Sequence, residues 1–137
     1  MKVFIDTNIP MYAAGKEHSF KAPSISLLHA IADGELDAVT DCEVFQEILH
    51  RYSALGRTEE GSELFLLFAS LVGEILPVAY HDVESARQIL LDHPGIKARD
   101  AIHAATMKAS GLRIIYSYDQ HFDDLSDIER LEPPARP

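Results

Sequence analysis

The chain has 137 residues, 47% of them apolar, and carries 22 acidic against 12 basic side chains for a formal net charge of −10. That length is one domain able to bury a real core. It excludes a membrane-spanning helix, since the longest apolar run, residues 64–71, falls far below ~20 residues, and an intramolecular disulfide, since Cys42 is alone.

Residues 3–5, Val-Phe-Ile, form a short apolar run suited to a strand buried on both faces of a parallel sheet. The run stops at Asp6, and Thr7 and Asn8 are turn and cap residues. Helix-like sequence follows, with Pro10 tolerated in a first turn. Because Lys2 leads straight into the strand and Asp6 interrupts it, no secretory leader is expected. A lone cysteine fits a reducing cytoplasm. Residues 16–21 read as an exposed loop. Ile25, Leu28, Ile31 and Ala32 have helical spacing and stop before Gly34. Residues 36–40 are a second strand, running into Thr40-Asp41-Cys42-Glu43, a capping-box pattern that opens a helix. On that helix Val44, Phe45, Ile48, Leu49 and Tyr52 share a face, with Glu47 beside it.

Glu59 and Glu60 suit the first turn of the next helix, whose stripe runs from Leu64 to Val72 and ends at Gly73. Residues 75–78 are a third strand, which Pro77 places at a sheet edge or strand end. Asp82 is expected to cap a helix carrying Val83, Ala86 and Leu90, which stops at His93-Pro94-Gly95. An alanine-rich helix from Lys97 to Gly111 contains Asp100. Residues 112–116 are a fourth strand, followed by Ser117-Tyr118-Asp119, a turn at 120–122 and a last short strand at 128–131. Strands alternating with helices imply a parallel sheet between helical layers.

The net charge opposes nucleic-acid binding unless clustered carboxylates hold cations, which turn an acidic site cationic. Four acids are placed to cluster: Asp6 after strand one, Glu47 on the helix after strand two, Asp100 in the helix before strand four, and Asp119 after strand four. The carboxyl edge of an open α/β sheet is where ligand sites form. Oxygen ligands suit Mg²⁺ or Mn²⁺, and two such ions about 3.5–4 Å apart activate water and stabilise a leaving oxygen. Singly, each acid has an ordinary explanation. Asp6 caps a helix, Glu47 pairs with Arg51 at i, i+4, Asp100 complements a helix dipole and Asp119 sits in a turn. The case rests on their joint placement.

The blocks Val-Phe-Ile-Asp-Thr-Asn, Val-Phe-Gln-Glu-Ile-Leu, Arg-Asp-Ala-Ile-His-Ala-Ala-Thr and Ile-Ile-Tyr-Ser-Tyr-Asp-Gln-His-Phe, in this order, resemble the PIN domain, and more narrowly the VapC-type toxins of toxin–antitoxin pairs. The resemblance implies a three-layer α/β/α fold with four to five parallel strands, a single domain over residues 1–132 and a frayed tail at 133–137. It implies a Mg²⁺- or Mn²⁺-dependent endoribonuclease, with metal-site and catalytic carboxylates at Asp6, Glu47, Asp100 and Asp119 and auxiliary polar groups at Asn8 and Ser117. An RNA substrate, a small cognate antitoxin, a homodimer and a cytoplasmic location go with it. Tyr118 stands where a small or polar residue is more usual, and its bulk bears on access to the pocket.

Glu43 reads as a capping-box member, and Asp123 and Asp124 as solvated or outer-shell groups. His103 and His121 read as structural or as aids to proton transfer. Lys16, Lys21, Arg51, Arg57, Lys97 and Arg99 flank the motifs and are the RNA-binding candidates among otherwise solvated charges. The 64–72 stripe is wide enough to serve both core and a partner surface. Rival readings are an aspartyl-phosphate phosphatase, weakened because Asn8 stands where a second acid belongs, an RNA-processing nuclease outside a toxin pair, and an inactive protein-interaction module.

Overall fold

The computed structural model describes residues 1–137. Strands β1 (Lys2–Ile5), β2 (Asp37–Asp41), β3 (Glu74–Leu76), β4 (Ile114–Tyr116) and β5 (Glu129–Leu131) form one parallel sheet in the order β3-β2-β1-β4-β5. The central strand is also the most apolar: Val3, Phe4 and Ile5 are wholly buried, as a strand covered on both faces requires. Phe4 lies opposite Val39 of β2 and Ile115 of β4. The edge position of β3 agrees with Pro77, which follows it directly and has no N–H to donate to a ladder.

Six helices complete the three-layer α/β/α architecture: α1 (Asn8–Ala14), α2 (Lys21–Ala32), α3 (Cys42–Ala54), α4 (Thr58–Leu71), α5 (Tyr80–Asp92) and α6 (Ala98–Ala109). Helix α1 packs on α2, α3 on α4, and α5 on α6. The small Ala101, Ala104 and Ala105 are buried, which lets α6 lie close to its neighbours. At the α3–α4 contact a Cβ on Gly61 would lie 2.5 Å from Tyr52 Cβ, so only glycine fits there. Gly34 and Gly111 take the left-handed backbone just after α2 and α6, the usual use of glycine past a helix end.

Local chemistry departs from the sequence reading in four places. Helix α2 begins at Lys21, the last residue of the stretch read as a loop and four residues before Ile25. The cap of α3 is Asp41, whose Oδ1 accepts from Val44 N at 3.1 Å, and not Thr40. Thr40 Oγ1 donates instead to the Ile5 carbonyl at 3.0 Å, tying β2 to β1, and Glu43 is left outside any capping box. Asp82 lies inside the first turn of α5, where its Oδ2 accepts from Ala79 N at 2.8 Å. The turn after Asp119 is a 3₁₀ helix, Gln120–Asp124. Past β5, the chain returns so that Tyr116 Oη donates to the Ala135 carbonyl at 2.6 Å.

The strand order fixes where a site can form. The chain builds β1, β2 and β3 to one side, then crosses to place β4 and β5 on the other side of β1. The carboxyl ends of β1 and β4 therefore flank the crevice at which a parallel sheet binds its ligands.

Candidate active site

Asp6 follows β1 at that crevice and is buried. Its backbone N–H donates to Tyr116 O at 3.0 Å, so the end of β1 is pinned to β4. The carboxylate is fully engaged: Oδ1 accepts from Thr7 N at 2.7 Å, and Oδ2 accepts from Ser117 Oγ at 2.5 Å and Asn8 Nδ2 at 3.3 Å. Ser117 Oγ also accepts from Asp119 N at 3.0 Å, and Asn8 Oδ1 from Tyr118 N at 3.3 Å. The two predicted auxiliary residues thus form a bridge between the ends of β1 and β4 and aim the Asp6 carboxylate.

Asp6, Asn8, Glu47, Asp100 and Asp119 all line one notch of about 170 Å³, with Thr7, Met11, Lys97 and Arg99 completing its wall. All four predicted acids are therefore brought together. Asp100 reaches it from the first turn of α6, and Asp119 from the cap of the 3₁₀ helix. The crowding is visible in their protonation. Burial, then hydrogen bonding with Asp119 and repulsion from Asp6, pushes the Asp100 carboxyl up to about 8. Burial also raises Asp6, with repulsion from Glu47 adding to it against the pull of His103, Ser117 and Thr7 N–H. Burial works upward on Asp119 too, but hydrogen bonds from Asp100 and the His121 N–H, with the nearby charges of His121 and Lys97, hold it below its ordinary value.

Glu47 has a different environment. Its Oε1 lies 2.7 Å from His103 Nε2, and its Oε2 lies 3.5 Å from Arg99 Nε. His103, wholly buried, turns its other ring nitrogen to Asp41, with Nδ1 2.9 Å from Oδ2 and 3.0 Å from Oδ1. Thr106 Oγ1 donates to the same Asp41 carboxylate at 2.8 Å. Burial disfavours the charged imidazole, yet Asp41, Glu47 and Asp6 together hold it well above its ordinary value of 6.5. An imidazole facing a carboxylate with each nitrogen carries a proton on both. His103 Nε2 also stands 3.7 Å from Asp6 Oδ1. One ligand atom each of Asp6, Asp100 and His103 lies within 4.8 Å of the others, but a doubly protonated ring has no lone pair for a metal. A cation here falls to carboxylate oxygens, the donor type that Mg²⁺ and Mn²⁺ prefer. Thr7 Oγ1, buried at the same notch without any hydrogen-bond partner, leaves one more oxygen for a hydrated ion to satisfy.

Asp41 was not among the predicted site residues, because the capping-box pattern accounted for it. The signal was present: Asp41 ends β2 as Asp6 follows β1, and parallel strands put both carboxylates at one edge. Thr7 was read only as a turn or cap residue. Tyr118 does not narrow the notch. Its ring stacks on Phe20 at 3.9 Å and 6°, and its hydroxyl meets Ser24 Oγ at 2.9 Å, so the side chain lies among α1 and α2. Asp123 is engaged by Arg130 Nε at 3.0 Å, and neither it nor Asp124 lines the notch. Glu43 is half-buried, and that burial, followed by repulsion from Glu47, raises its carboxyl. His121 Nδ1 stands 3.2 Å from Asp119 Oδ1 on the exposed side.

The PIN domain family matches the chain over residues 3–128. Ribonuclease VapC13 of Mycobacterium tuberculosis is 40% identical over 129 residues, covering 94% of this chain and 98% of that protein. Ribonuclease VapC23 of the same species is 35% identical over 117 residues, covering 85% and 92% respectively. Among solved structures, the Mycobacterium tuberculosis toxin VapC20, described as cleaving the sarcin-ricin loop, superposes with a TM-score of 0.76 at 16% identity, covering 90% of this chain and 95% of that one.

Proposed function

The chain belongs to the PIN domain family, and on that footing we propose that it is an endoribonuclease of the VapC type, the toxin of a toxin–antitoxin pair, which hydrolyses RNA phosphodiester bonds with a divalent cation, Mg²⁺ or Mn²⁺. The observation that carries the reading is the convergence of Asp6, Glu47, Asp100 and Asp119 on one notch at the switch point of the sheet. Relatives named as VapC ribonucleases cover nearly its whole length, and several structural neighbours are VapBC complexes, in which toxin and antitoxin are bound together.

In this reading Asp6, Asp100 and Asp119 hold the cation. When bound, it acts as a Lewis acid toward the phosphoryl oxygens and lowers the pKa of water. The protein supplies orientation. Asn8 and Ser117 keep the Asp6 carboxylate turned into the notch. The buried Asp41–His103 pair does the same for Glu47, which would help hold the cation or accept a hydrogen bond from the attacking water. Lys97 and Arg99 face the same notch and offset the charge of an incoming phosphate. The acid cluster has a physical reason to take a cation: without one, burial, then the hydrogen bond with Asp119 and repulsion from Asp6, push the Asp100 carboxyl up to about 8.

A cytoplasmic site of action and pairing as a homodimer accompany this reading; no helix is long and apolar enough to cross a membrane. Helix α4 leaves Leu66 and Leu67 exposed at 65% and 54%, and Leu64, Leu67 and Leu71 line an apolar groove with Pro10, Ile25 and Leu28. This face supplies partner contact, and an antitoxin Arg or Lys inserted among the carboxylates silences the notch.

The deciding experiment is incubation of total cellular RNA with antitoxin-free protein in Mn²⁺ or EDTA, beside Asp100→Asn. Discrete fragments made only with metal and only by the unaltered protein are expected. No cleavage in Mn²⁺, with no calorimetric metal binding, would overturn the assignment and favour an interaction module.

A further inference from the structure

We propose that a groove leading away from the acidic notch along α3 holds the strand of a single-stranded RNA next to the scissile phosphate, with Arg51 and Arg99 as its phosphate contacts. The inference rests on the nuclease reading and says where its substrate lies. The notch and the groove share three residues, Met11, Glu47 and Arg99. The notch measures about 170 Å³ and the groove about 480 Å³, and the groove alone is of a size that accommodates an organic ligand. Beyond the shared residues the groove is walled by His50, Arg51, Ala54 and Leu55. Glu47, Arg51, Ala54 and Leu55 recur at i, i+4, i+7 and i+8, so one face of α3 carries both the acid of the site and the cation of the groove.

The charges beside the notch favour this path, since several cations elsewhere are engaged. Lys2 pairs with Glu74, Arg57 with Glu60, Arg130 with Asp123 and Glu132, and Arg136 with Glu35, while Lys21 donates to the Gly15 carbonyl. Arg51 and Lys97 are exposed and have no carboxylate partner. Arg99 is 47% exposed, makes no hydrogen bond, and only its Nε approaches Glu47, at 3.5 Å. With 22 acids against 12 bases, most of the surface repels a polyanion, and the exposed cations beside the notch, Arg51, Lys97 and the loosely held Arg99, favour an approach there. Guanidinium groups suit phosphate because they donate two parallel hydrogen bonds. Met11 and Leu55, the latter 55% exposed, give the groove apolar surface for a ribose or an unstacked base. A concave channel of this size admits one strand, whose splayed bases can enter, and not a stacked duplex.

The test is fluorescence anisotropy of a labelled mixed-sequence single-stranded RNA dodecamer in Mg²⁺ across a salt series. It is run on Asp100→Asn so that the strand persists. Adding Arg51→Ala or Arg99→Ala is expected to lower the slope of log K against log salt by about 0.7 each. Arg51→Lys is expected to retain the slope, and Arg57→Ala, whose side chain is paired away from the groove, to leave it unchanged. Undiminished slopes in both groove variants, an equal loss in Arg57→Ala, or duplex RNA binding as well as single-stranded would each overturn the proposal, as would no binding at all. The two readings separate cleanly. Arg51-dependent binding by a protein that cuts nothing in Mn²⁺ removes the nuclease and keeps the groove. Metal-dependent cleavage with binding indifferent to Arg51 and Arg99 removes the groove and keeps the nuclease.

Discussion

Two sets of carboxylates lie side by side at the carboxyl edge of the sheet, and they solve the same electrostatic problem in opposite ways. Asp41 and Glu47 are held by a protein cation: His103 spans them at 2.9 Å and 2.7 Å, and Thr106 and the Val44 N–H complete the hydrogen bonds to Asp41. Asp6, Asp100 and Asp119 crowd one notch with cations only at its margin, His103 Nε2 3.7 Å from Asp6 Oδ1 and His121 Nδ1 3.2 Å from Asp119 Oδ1, and burial, then hydrogen bonding with Asp119 and repulsion from Asp6, drives Asp100 up to about 8. The first set is closed and serves geometry. The second is left open to a cation from solution. Buried charges are stable only when paired and hydrogen-bonded, so in the proposed nuclease the open set is the one that would take the cation.

The sharpest way to break that contrast is to remove a carboxylate from the open set. Asp6→Asn or Asp100→Asn is expected to abolish RNA cleavage while the metal-free protein becomes no less stable in urea, because repulsion is relieved. Cleavage at the original rate would end the assignment of these acids as cation ligands. The closed set should respond in the reverse sense. His103→Ala leaves Asp41 charged and buried without its partner, and is expected to cost about 3–5 kcal/mol in urea unfolding. It should also weaken Mn²⁺ binding by roughly 10–100-fold in calorimetry, the usual effect of losing a residue that orients ligands. Unaltered stability would show that the Asp41–His103–Glu47 chain is not a charged unit.

Acidity distinguishes the sets without mutation. Between the ordinary 3.8 and about 8 the folded protein holds an Asp100 proton that the unfolded chain releases, so stability falls as pH rises across that window. His103 adds to this with the same sign: its contribution is fully present below 6.5 and is lost as pH climbs through its raised folded value. Metal-free protein is therefore expected to melt at progressively lower temperature from pH 5 toward pH 8, and Mg²⁺ or Mn²⁺ to reverse most of the decline. A melting temperature that rises across that range without metal would contradict the crowded open set.

Smaller effects refine the picture. Ser117→Ala removes the hydroxyl that donates to Asp6 Oδ2 and accepts from Asp119 N, and a metal affinity reduced by about tenfold, with the fold retained, is expected from calorimetry. Tyr118→Ser should lose about 0.5–1.5 kcal/mol from its stack on Phe20 and leave cleavage unchanged. Faster cleavage by that variant would mean that the tyrosine does restrict the notch.

Much of this was legible in the chain. The buried run at Val3–Phe4–Ile5, the edge character of Pro77 and the alanines of α6 describe single elements, and periodicity reports elements well because it follows from 2.0- and 3.6-residue repeats. The four acids were likewise visible: Asp6 and Asp119 follow strands, Asp100 lies in a first helical turn, and Glu47 lies beside the apolar face of the helix after strand two. What stayed hidden depended on partners remote in sequence. Asp41 and His103 are 62 positions apart, and nothing local marks an N-cap that is also the anchor of a buried histidine. Tyr118 was read from its neighbour Asp119, whereas packing turned it toward Phe20, 98 residues away.

By itself, then, the sequence determined which segments are strands and helices and which carboxylates sit at their ends, because both follow from local pattern and turn chemistry. Only the tertiary structure decided which of those carboxylates receive an internal cation and which stay open, and which arginines line the way in. Charge pairing across a crevice depends on distances between elements, and those are set when the β1–β4 switch point and the α3–α6 contact close around His103.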